Sequence, residues 1–199
     1  LNKQKIKIQR ALLSVFDKTG IVELAESLNQ HGVEIISTGG TAKTLGDAGL
    51  QVTGISAYTG FPEIMDGRVK TINPLVEGGI LGLRDKHADD AKANNIGWID
   101  LVVCNLYPFS KVVSRADCGL MTAMDNVDIG GQTMIRSAAK NVGWATVVVD
   151  PRDYQRIIDE LDEFVEISFE TRKKLSAKAF GHTCLLYTSP SPRDLSTSR

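Results

Sequence analysis

The sequence predicts an α/β fold in which helices flank a mainly parallel sheet. The first forty residues read as strand, helix, strand, which is a βαβ unit with parallel strands. Later, residues 99–107 are apolar without alternation, as is typical of a strand covered on both faces. The 199 residues, with 42% hydrophobic and 24% charged side chains, fit one globular domain with a substantial core.

Hydrophobic spacing and turn residues place the elements of the first half. We predict strands at residues 10–15, 33–36 and 50–55. A helix begins at Ile21, with Asp17 or Thr19 as its cap, and another follows Thr41. Residues 58–71 read as loop, 78–83 as a short strand or a turn, and 87–95 as helix.

Strands and helices also alternate in the second half of the chain. We predict strands at residues 99–107 and 146–150 and helices at 134–141, 154–161 and 171–182. Pro151 takes a favoured position at the start of a helix. Residues 185–199 have no apolar periodicity and read as a disordered or unrelated tail.

A glycine turn after the second strand predicts a phosphate site. The stretch Ser37-Thr38-Gly39-Gly40-Thr41 joins an apolar run to a helix, and the helix start carries roughly half a positive charge. Hydroxyl groups of its serine and threonines add donors. An ordinary strand-to-helix turn, capped by Thr41, is the alternative.

Two further stretches carry candidate functional groups. Arg68 and Lys70 lie two apart, so an extended backbone would send both cations to one side, although a solvated basic loop is the alternative. Asn105 and Tyr107 follow the apolar strand, where ligands bind in open α/β sheets. Alternatively, Tyr107 packs under a loop. Asp128 precedes a second glycine pair that leads into a helix.

Composition disfavours several function classes. The net charge is −1 without a long basic run, which disfavours general nucleic-acid binding, and no apolar stretch is long enough to span a membrane. The three cysteines (Cys104, Cys118 and Cys184) lack metal-type spacing and are expected as reduced thiols in the cytoplasm. The three histidines are scattered, so no metal site is expected.

Short motifs occur along roughly residues 10–183 of the chain. They are Asp17-Lys18-Thr19-Gly20, Ser37-Thr38-Gly39-Gly40-Thr41, Tyr58-Thr59-Gly60-Phe61-Pro62-Glu63, Gly67-Arg68-Val69-Lys70-Thr71, Asn105-Leu106-Tyr107-Pro108-Phe109, Asp128-Ile129-Gly130-Gly131, Ala138-Ala139-Lys140-Asn141 and Lys178-Ala179-Phe180. Taken together, these motifs resemble the IMP cyclohydrolase domain that begins the bifunctional purine biosynthesis protein.

The resemblance implies a methylglyoxal-synthase-like three-layer fold and a specific reaction. In that reaction, 5-formamidoimidazole-4-carboxamide ribotide loses water and becomes IMP, without a metal or another cofactor. The implied protein is a cytosolic homodimer that binds neither nucleic acid nor membrane. The expected organisation is an extension at 1–9, the cyclohydrolase domain at 10–184 and the tail at 185–199, without the folate-dependent transformylase domain.

The resemblance also implies roles for particular residues. Lys140 would transfer protons together with Asp128, while Lys70 and Tyr107 would manage charge on the formyl oxygen. The residues expected to bind the substrate are Asp17, Lys18, Thr38, Gly39, Gly40, Thr41, Arg68, Val69, Thr71, Cys104, Asn105, Ile129 and Gly130.

Some positions depart from the family's usual pattern, and two other functions stay open. The departures are Phe16, Asn73, Glu77, Gln132 and Val142. One alternative is a regulatory module that binds a nucleotide without catalysis, as in the effector domain of carbamoyl phosphate synthetase. The other is a methylglyoxal synthase, which the Asn105-to-Phe109 and Asp128-to-Gly131 motifs disfavour.

Overall fold

A computed structural model describes residues 1–107, 109, 113–115 and 117–184 of the chain. The tail predicted at residues 185–199 lies outside the described residues, and so does Pro108.

Five parallel strands form the central sheet. The described residues also form a separate pair of strands. In chain order all of these strands are β1 (Ile6–Lys7), β2 (Arg10–Val15), β3 (Glu34–Ser37), β4 (Thr53–Gly54), β5 (Leu101–Asn105), β6 (Thr146–Val148) and β7 (Glu166–Ile167). The sheet has the order β4-β3-β2-β5-β6, while β1 and β7 pair antiparallel as a separate ribbon. The predicted α/β class is confirmed.

Helices cover both faces of this sheet. They are α1 (Ile21–Gln30), α2 (Gly39–Asp47), α3 (Ile55–Thr59), α4 (Pro74–Leu81), α5 (Ala88–Ala93), α6 (Leu120–Asp125), α7 (Gly130–Lys140), α8 (Tyr154–Phe164) and α9 (Phe169–Cys184), with a 3-10 turn at Pro151–Asp153. Successive residues of a strand point to opposite faces, so Leu13 and Val103 join one apolar core while Leu12 and Val102 join the other. The result is a three-layer molecule.

The structure corrects three local expectations. Gly20, with φ of 69°, caps α1 without a side-chain bond, so neither Asp17 nor Thr19 is its cap. The strand expected at 50–55 is limited to β4, because α3 begins at Ile55. The strand or turn expected at 78–83 is mostly helix α4.

The glycines of α4 explain the last of these errors. A Cβ at Gly79 would lie 2.5 Å from the carbonyl oxygen of Gly97, and one at Gly78 would lie 2.8 Å from Ile96. Gly is a poor helix former, so the sequence reads as a turn. Because Gly78 and Gly79 have no side chain, α4 can pack closely against the segment before β5.

The segment predicted as an extension, residues 1–9, packs into the main domain. Ile6 and Ile8 are buried in the core beside α8 and α9. Residues 6 and 7 pair with 167 and 166 across the ribbon. This stretch therefore shares the core of the domain.

Candidate active site

Three neighbouring strands end at one edge of the sheet and bring three of the predicted segments together. β2 lies between β3 and β5, and all three run in the same direction. Residues 16–20, 38–41 and 105–107 follow directly from their ends. The carboxyl ends of parallel strands are where α/β proteins bind ligands, so this edge is the candidate site.

Asn105 connects the ends of β5 and β2. Its Oδ1 accepts hydrogen bonds from the backbone N–H groups of Phe16 (2.7 Å) and Asp17 (2.8 Å). Its Nδ2 donates to the carbonyl oxygen of Asp17 at 2.9 Å. The Asn105 side chain, expected to contact substrate, therefore holds the loop that follows β2.

Lys18 lies on that loop, against the start of α2. Its Nζ donates to the carbonyl oxygens of Val15 (3.0 Å) and Phe16 (3.4 Å). The same nitrogen lies 3.8 Å from where a Cβ on Gly40 would be. The ammonium and the positive end of α2 thus act on the same region, which favours an anion there.

The hydroxyl groups of the first glycine turn have internal partners. Ser37 donates to the carbonyl oxygen of Leu13 at 2.8 Å, and the Thr38 hydroxyl shares a hydrogen bond with Ser14 at 2.7 Å. Thr41 bonds both backbone groups of Val15 at 3.0 Å. The hydroxyls that the sequence offers as further phosphate donors therefore already have partners within the protein.

The glycines remain available at this turn. No side chain caps α2, and both Gly39 and Gly40 are exposed. Gly39 has φ of 41°, in the left-handed region that other residues rarely adopt. Backbone N–H groups and Lys18, rather than threonine hydroxyls, are the groups that can hold an anion.

The second glycine turn packs against the end of β5. Asp128 Oδ1 accepts a hydrogen bond from the N–H of Gly131 at 2.7 Å. A Cβ at Gly131 would lie 2.4 Å from Asp128 Oδ2 and 2.8 Å from Leu106. The start of α7 therefore lies at the same edge as the first turn, and any side chain at position 131 would have to displace Asp128 and Leu106.

Thr71 and Cys104 complete the wall beside this turn. The Thr71 hydroxyl oxygen would lie 2.6 Å from a Cβ on Gly130. Burial, followed by the charge of Asp128, raises the pKa of the Cys104 thiol. Since a thiolate is the reactive form, Cys104 packs here as a neutral side chain.

Tyr107 lies beside the Lys18 loop. Its ring contacts the ring of Phe16 edge to face, with the ring centres 4.2 Å apart and the planes at 69°. The tyrosine is 36% exposed. It is thus accessible at the site edge.

The loop that carries the two cations is folded, not extended. Ile64 and Val69 form an antiparallel bridge around a tight turn, and Arg68 forms an ion pair with Asp125 of α6. Lys70 is half-buried and directly precedes Thr71. Lys70 therefore lies near the second glycine turn, while Arg68 binds a carboxylate of its own chain.

Lys140 is not brought to this cluster. It ends α7, about 15 Å from Gly130 at a rise of about 1.5 Å per residue. The next residue, Asn141, donates to the carbonyl oxygens of Ile80 (2.7 Å) and Gly82 (3.1 Å), and α7 there approaches the opposite edge of the sheet. The expected pairing of Lys140 with Asp128 is absent from the described residues of a single chain.

Leu106 and Gly131 are site residues that the sequence reasoning did not select. The glycine pair itself was the available signal, because two adjacent glycines allow close backbone approach. The remaining predicted residues, Val69 and Ile129, lie in the loop bridge and beside Asp128. Ile129 is 62% exposed.

Two general features of the described residues bear on function. No three His, Cys, Asp or Glu side chains in this part of the chain are grouped to hold a metal ion. None of its helices combines the length and apolar character that a membrane span requires.

Comparison with known proteins gives two matching family models. The model described as "MGS-like domain" matches residues 20–133, and the model described as "AICARFT/IMPCHase bienzyme" matches residues 138–187. Together they cover the two glycine turns and the helices after them, but not residues 16–19 of the candidate site.

Relatives and a solved structure agree with these matches. PurH, a bifunctional purine biosynthesis protein, is 54% identical over 177 residues in Bacillus cereus (strain AH187) and in Bacillus anthracis (strain A0248). Each alignment covers 88% of this chain and 35% of the relative. The crystal structure of ForH matches with a TM-score of 0.83 and 32% identity, over 91% of this chain and 94% of that one.

Proposed function

Because the chain belongs to the MGS-like domain family and is 54% identical to PurH over 88% of its length, we propose that it is an IMP cyclohydrolase. It would close the ring of 5-formamidoimidazole-4-carboxamide ribotide with loss of water. The observation that best supports this is that both glycine turns lie at the same edge of the sheet, the first bonded to the end of β2 and the second packed against the residue that follows β5. Asn105 holds one side of this edge and Leu106 contacts the other.

The first glycine turn suits the ribotide phosphate. Backbone N–H groups at Gly39 and Gly40, the positive end of α2 and the Lys18 ammonium all favour an anion there. To reach the phosphate, Lys18 exchanges its bonds to two backbone carbonyls for one to a charged oxygen. Charge-assisted bonds of that kind are the stronger ones.

The second glycine turn suits the chemistry. Ring closure joins the carboxamide nitrogen to the formyl carbon and expels the formyl oxygen as water, so the carboxamide nitrogen and the formamido nitrogen each lose one proton and the oxygen gains both. Asp128 would accept from the carboxamide nitrogen, and Lys70 and Tyr107 would donate toward the oxygen. Fixed donors at a developing oxyanion contribute about 3 kcal/mol each.

The proton-transfer role of Lys140 stays a separate prediction, which rests on the family resemblance. A proton-transfer role predicts that Lys140→Ala lowers turnover by about 100-fold while IMP still binds. Its place at the far end of α7 does not support this role within one chain. Unchanged turnover would leave Asp128, Lys70 and Tyr107 as the groups that handle protons.

One other function is favoured by two observations. Lys140 lies far from Asp128, and the side chains of Thr41 and Asn105 form hydrogen bonds within the protein. A site that holds a nucleotide through backbone groups and Lys18 but lacks proton transfer would be a regulatory module. Binding of IMP without turnover of the formamido ribotide would establish it. The cyclohydrolase proposal also includes a homodimer and a cytosolic location. Sedimentation of the purified protein tests whether it is a homodimer.

The deciding experiment follows IMP formation from the formamido ribotide by the purified chain. We expect acceleration over the uncatalysed closure, and Lys70→Met should lower kcat/KM by about 100-fold because an oxyanion donor is lost. Lys92→Met is the matched control, since Lys92 is exposed on α5 and should leave the rate unchanged. A folded wild-type protein that does not accelerate closure would disprove the proposal.

A further inference from the structure

Phe16 and Tyr107 form an exposed pair of rings at the carboxyl edge of the sheet. Their ring centres lie 4.2 Å apart with the planes at 69°, and Phe16 is 48% exposed although its side chain is large and apolar. The backbone of Phe16 is fixed, because its N–H donates to Asn105 at 2.7 Å and its carbonyl oxygen accepts from the Lys18 ammonium at 3.4 Å. The protein therefore holds an apolar ring in the open, directly beside the groups proposed to bind an anion.

This ring pair lies between the two ends of the proposed site. On one side, the Lys18 ammonium lies against the first glycine turn, and the two positions that separate it from Phe16 span at most about 7 Å of backbone. On the other side, Tyr107 follows Leu106, which packs against the second glycine turn at Gly131. A ligand with its phosphate at the first turn and its reacting groups at the second therefore passes the two rings.

The angle between the ring planes gives each ring a different part of a planar ligand. A heterocycle that lies flat on the Phe16 ring would meet the Tyr107 ring at 69°, so that Tyr107 could reach only the rim of the heterocycle. Aromatic rings attract one another both in offset stacks and edge to face. The oxygen toward which Tyr107 is proposed to donate is carried outside the heterocycle, at that rim. Stacking on Phe16 and donation by Tyr107 are therefore compatible.

We propose that Phe16 recognises the heterocycle of the nucleotide by stacking on its face. The ligand class is a ribose phosphate that carries a flat unsaturated ring, and a ribose phosphate without that ring gains nothing from Phe16. Because every base has a face that can stack, this contact distinguishes nucleotides from sugar phosphates rather than one base from another. The inference rests on the proposed function, which supplies the heterocycle and the direction in which the ligand lies.

Isothermal titration of two Phe16 variants with three ligands tests this role. Phe16→Leu keeps an apolar side chain but loses the ring, so its Kd for IMP should increase about tenfold, the effect of losing one stacked base. Its Kd for ribose 5-phosphate and for inorganic phosphate should stay as in the wild type, and Phe16→Tyr, which keeps the ring, should bind all three ligands normally. Phe164→Leu is the matched control, since Phe164 is 43% exposed, ends α8 and contacts Lys5. It should change none of the Kd values.

Four outcomes would overturn the role of Phe16. They are an unchanged Kd for IMP in Phe16→Leu, an equal rise for ribose 5-phosphate, an equal loss in Phe16→Tyr, and a wild-type protein that binds ribose 5-phosphate as tightly as IMP. If the wild-type protein prefers IMP to ribose 5-phosphate but does not accelerate ring closure, the cyclohydrolase function fails and the titrations still decide the role of Phe16. A wild-type protein that does not bind IMP would overturn both.

Discussion

Asn105 shows how one side chain determines the shape of the site edge. Its amide satisfies two backbone N–H groups and one carbonyl group at the turn after β2. It is 9% exposed, so water cannot readily replace these bonds. An asparagine at the end of a strand here fixes the path of a neighbouring loop.

We therefore predict that Asn105→Ala lowers the free energy of unfolding by about 3 kcal/mol, because it leaves three partly buried backbone groups without their side-chain partner. Urea unfolding followed by circular dichroism measures the change. Asn94→Ala is the control, since the exposed Asn94 amide donates to the Asp90 carbonyl, and it should cost less than about 0.5 kcal/mol. Equal losses in the two variants would contradict the prediction.

Side-chain hydrogen bonds mark the limit of what the sequence predicts at this scale. The residues that collect at the site edge could be inferred from strand ends and glycine turns. The sequence could not show which hydrogen-bonding atoms remain available to a ligand. The Thr41 and Thr38 hydroxyls bond residues of β2 that lie 26 and 24 positions earlier in the chain. Such pairings depend on strand order, which local patterns do not contain.

At the scale of elements, helix α7 determines how far the site extends. Helix α7 begins at the second glycine turn and carries Lys140 away from it. The motif order in the sequence places Asp128 and Lys140 only twelve positions apart, which suggests proximity. A straight helix converts that separation into a long distance, since it rises about 1.5 Å per residue.

The contact between α4 and α7 contains a half-buried carboxylate. The Oε2 of Glu77 accepts a hydrogen bond from the Ser137 hydroxyl at 2.7 Å. Its other oxygen is buried without a partner among the described residues. Burial raises the pKa of Glu77, although the Ser137 bond opposes the rise.

The raised pKa of Glu77 in the folded state determines how this group makes the free energy of unfolding depend on pH. The folded protein holds the Glu77 proton more tightly, so this group stabilises it below the unfolded pKa of about 4.3. That contribution is lost as the pH rises through the folded pKa. We predict that Glu77→Gln raises the free energy of unfolding by about 1 kcal/mol at pH 8 and changes it little at pH 4. Urea titrations at the two pH values measure this, and an equal effect at both would contradict it.

At the scale of the whole molecule, Arg172 links distant parts of the chain. Its guanidinium donates to the carbonyl oxygens of Gln4 (2.9 Å), Val142 (3.0 Å) and Ile167 (2.7 Å). The side chain is fully buried. Burial lowers the pKa of Arg172 to about 10, so the group remains charged at neutral pH.

Arg172→Lys tests this link. An ammonium cannot reach three carbonyl oxygens in the geometry of a guanidinium fork, so we predict a loss of about 3 kcal/mol in unfolding free energy. Arg156→Lys, on the exposed face of α8, is the matched control and should cost less than about 0.5 kcal/mol. Differential scanning calorimetry of both variants checks the difference, and similar melting temperatures would refute it.

The pairing of β1 with β7 also affects synthesis of the protein. Ile6 aligns with Ile167, so the first strand leaves the ribosome about 160 residues before its partner. At roughly 5–20 residues per second, that delay is on the order of ten to thirty seconds. Throughout that time Ile6 and Ile8 stay in water, where a chaperone that recognises short apolar segments could hold the nascent chain.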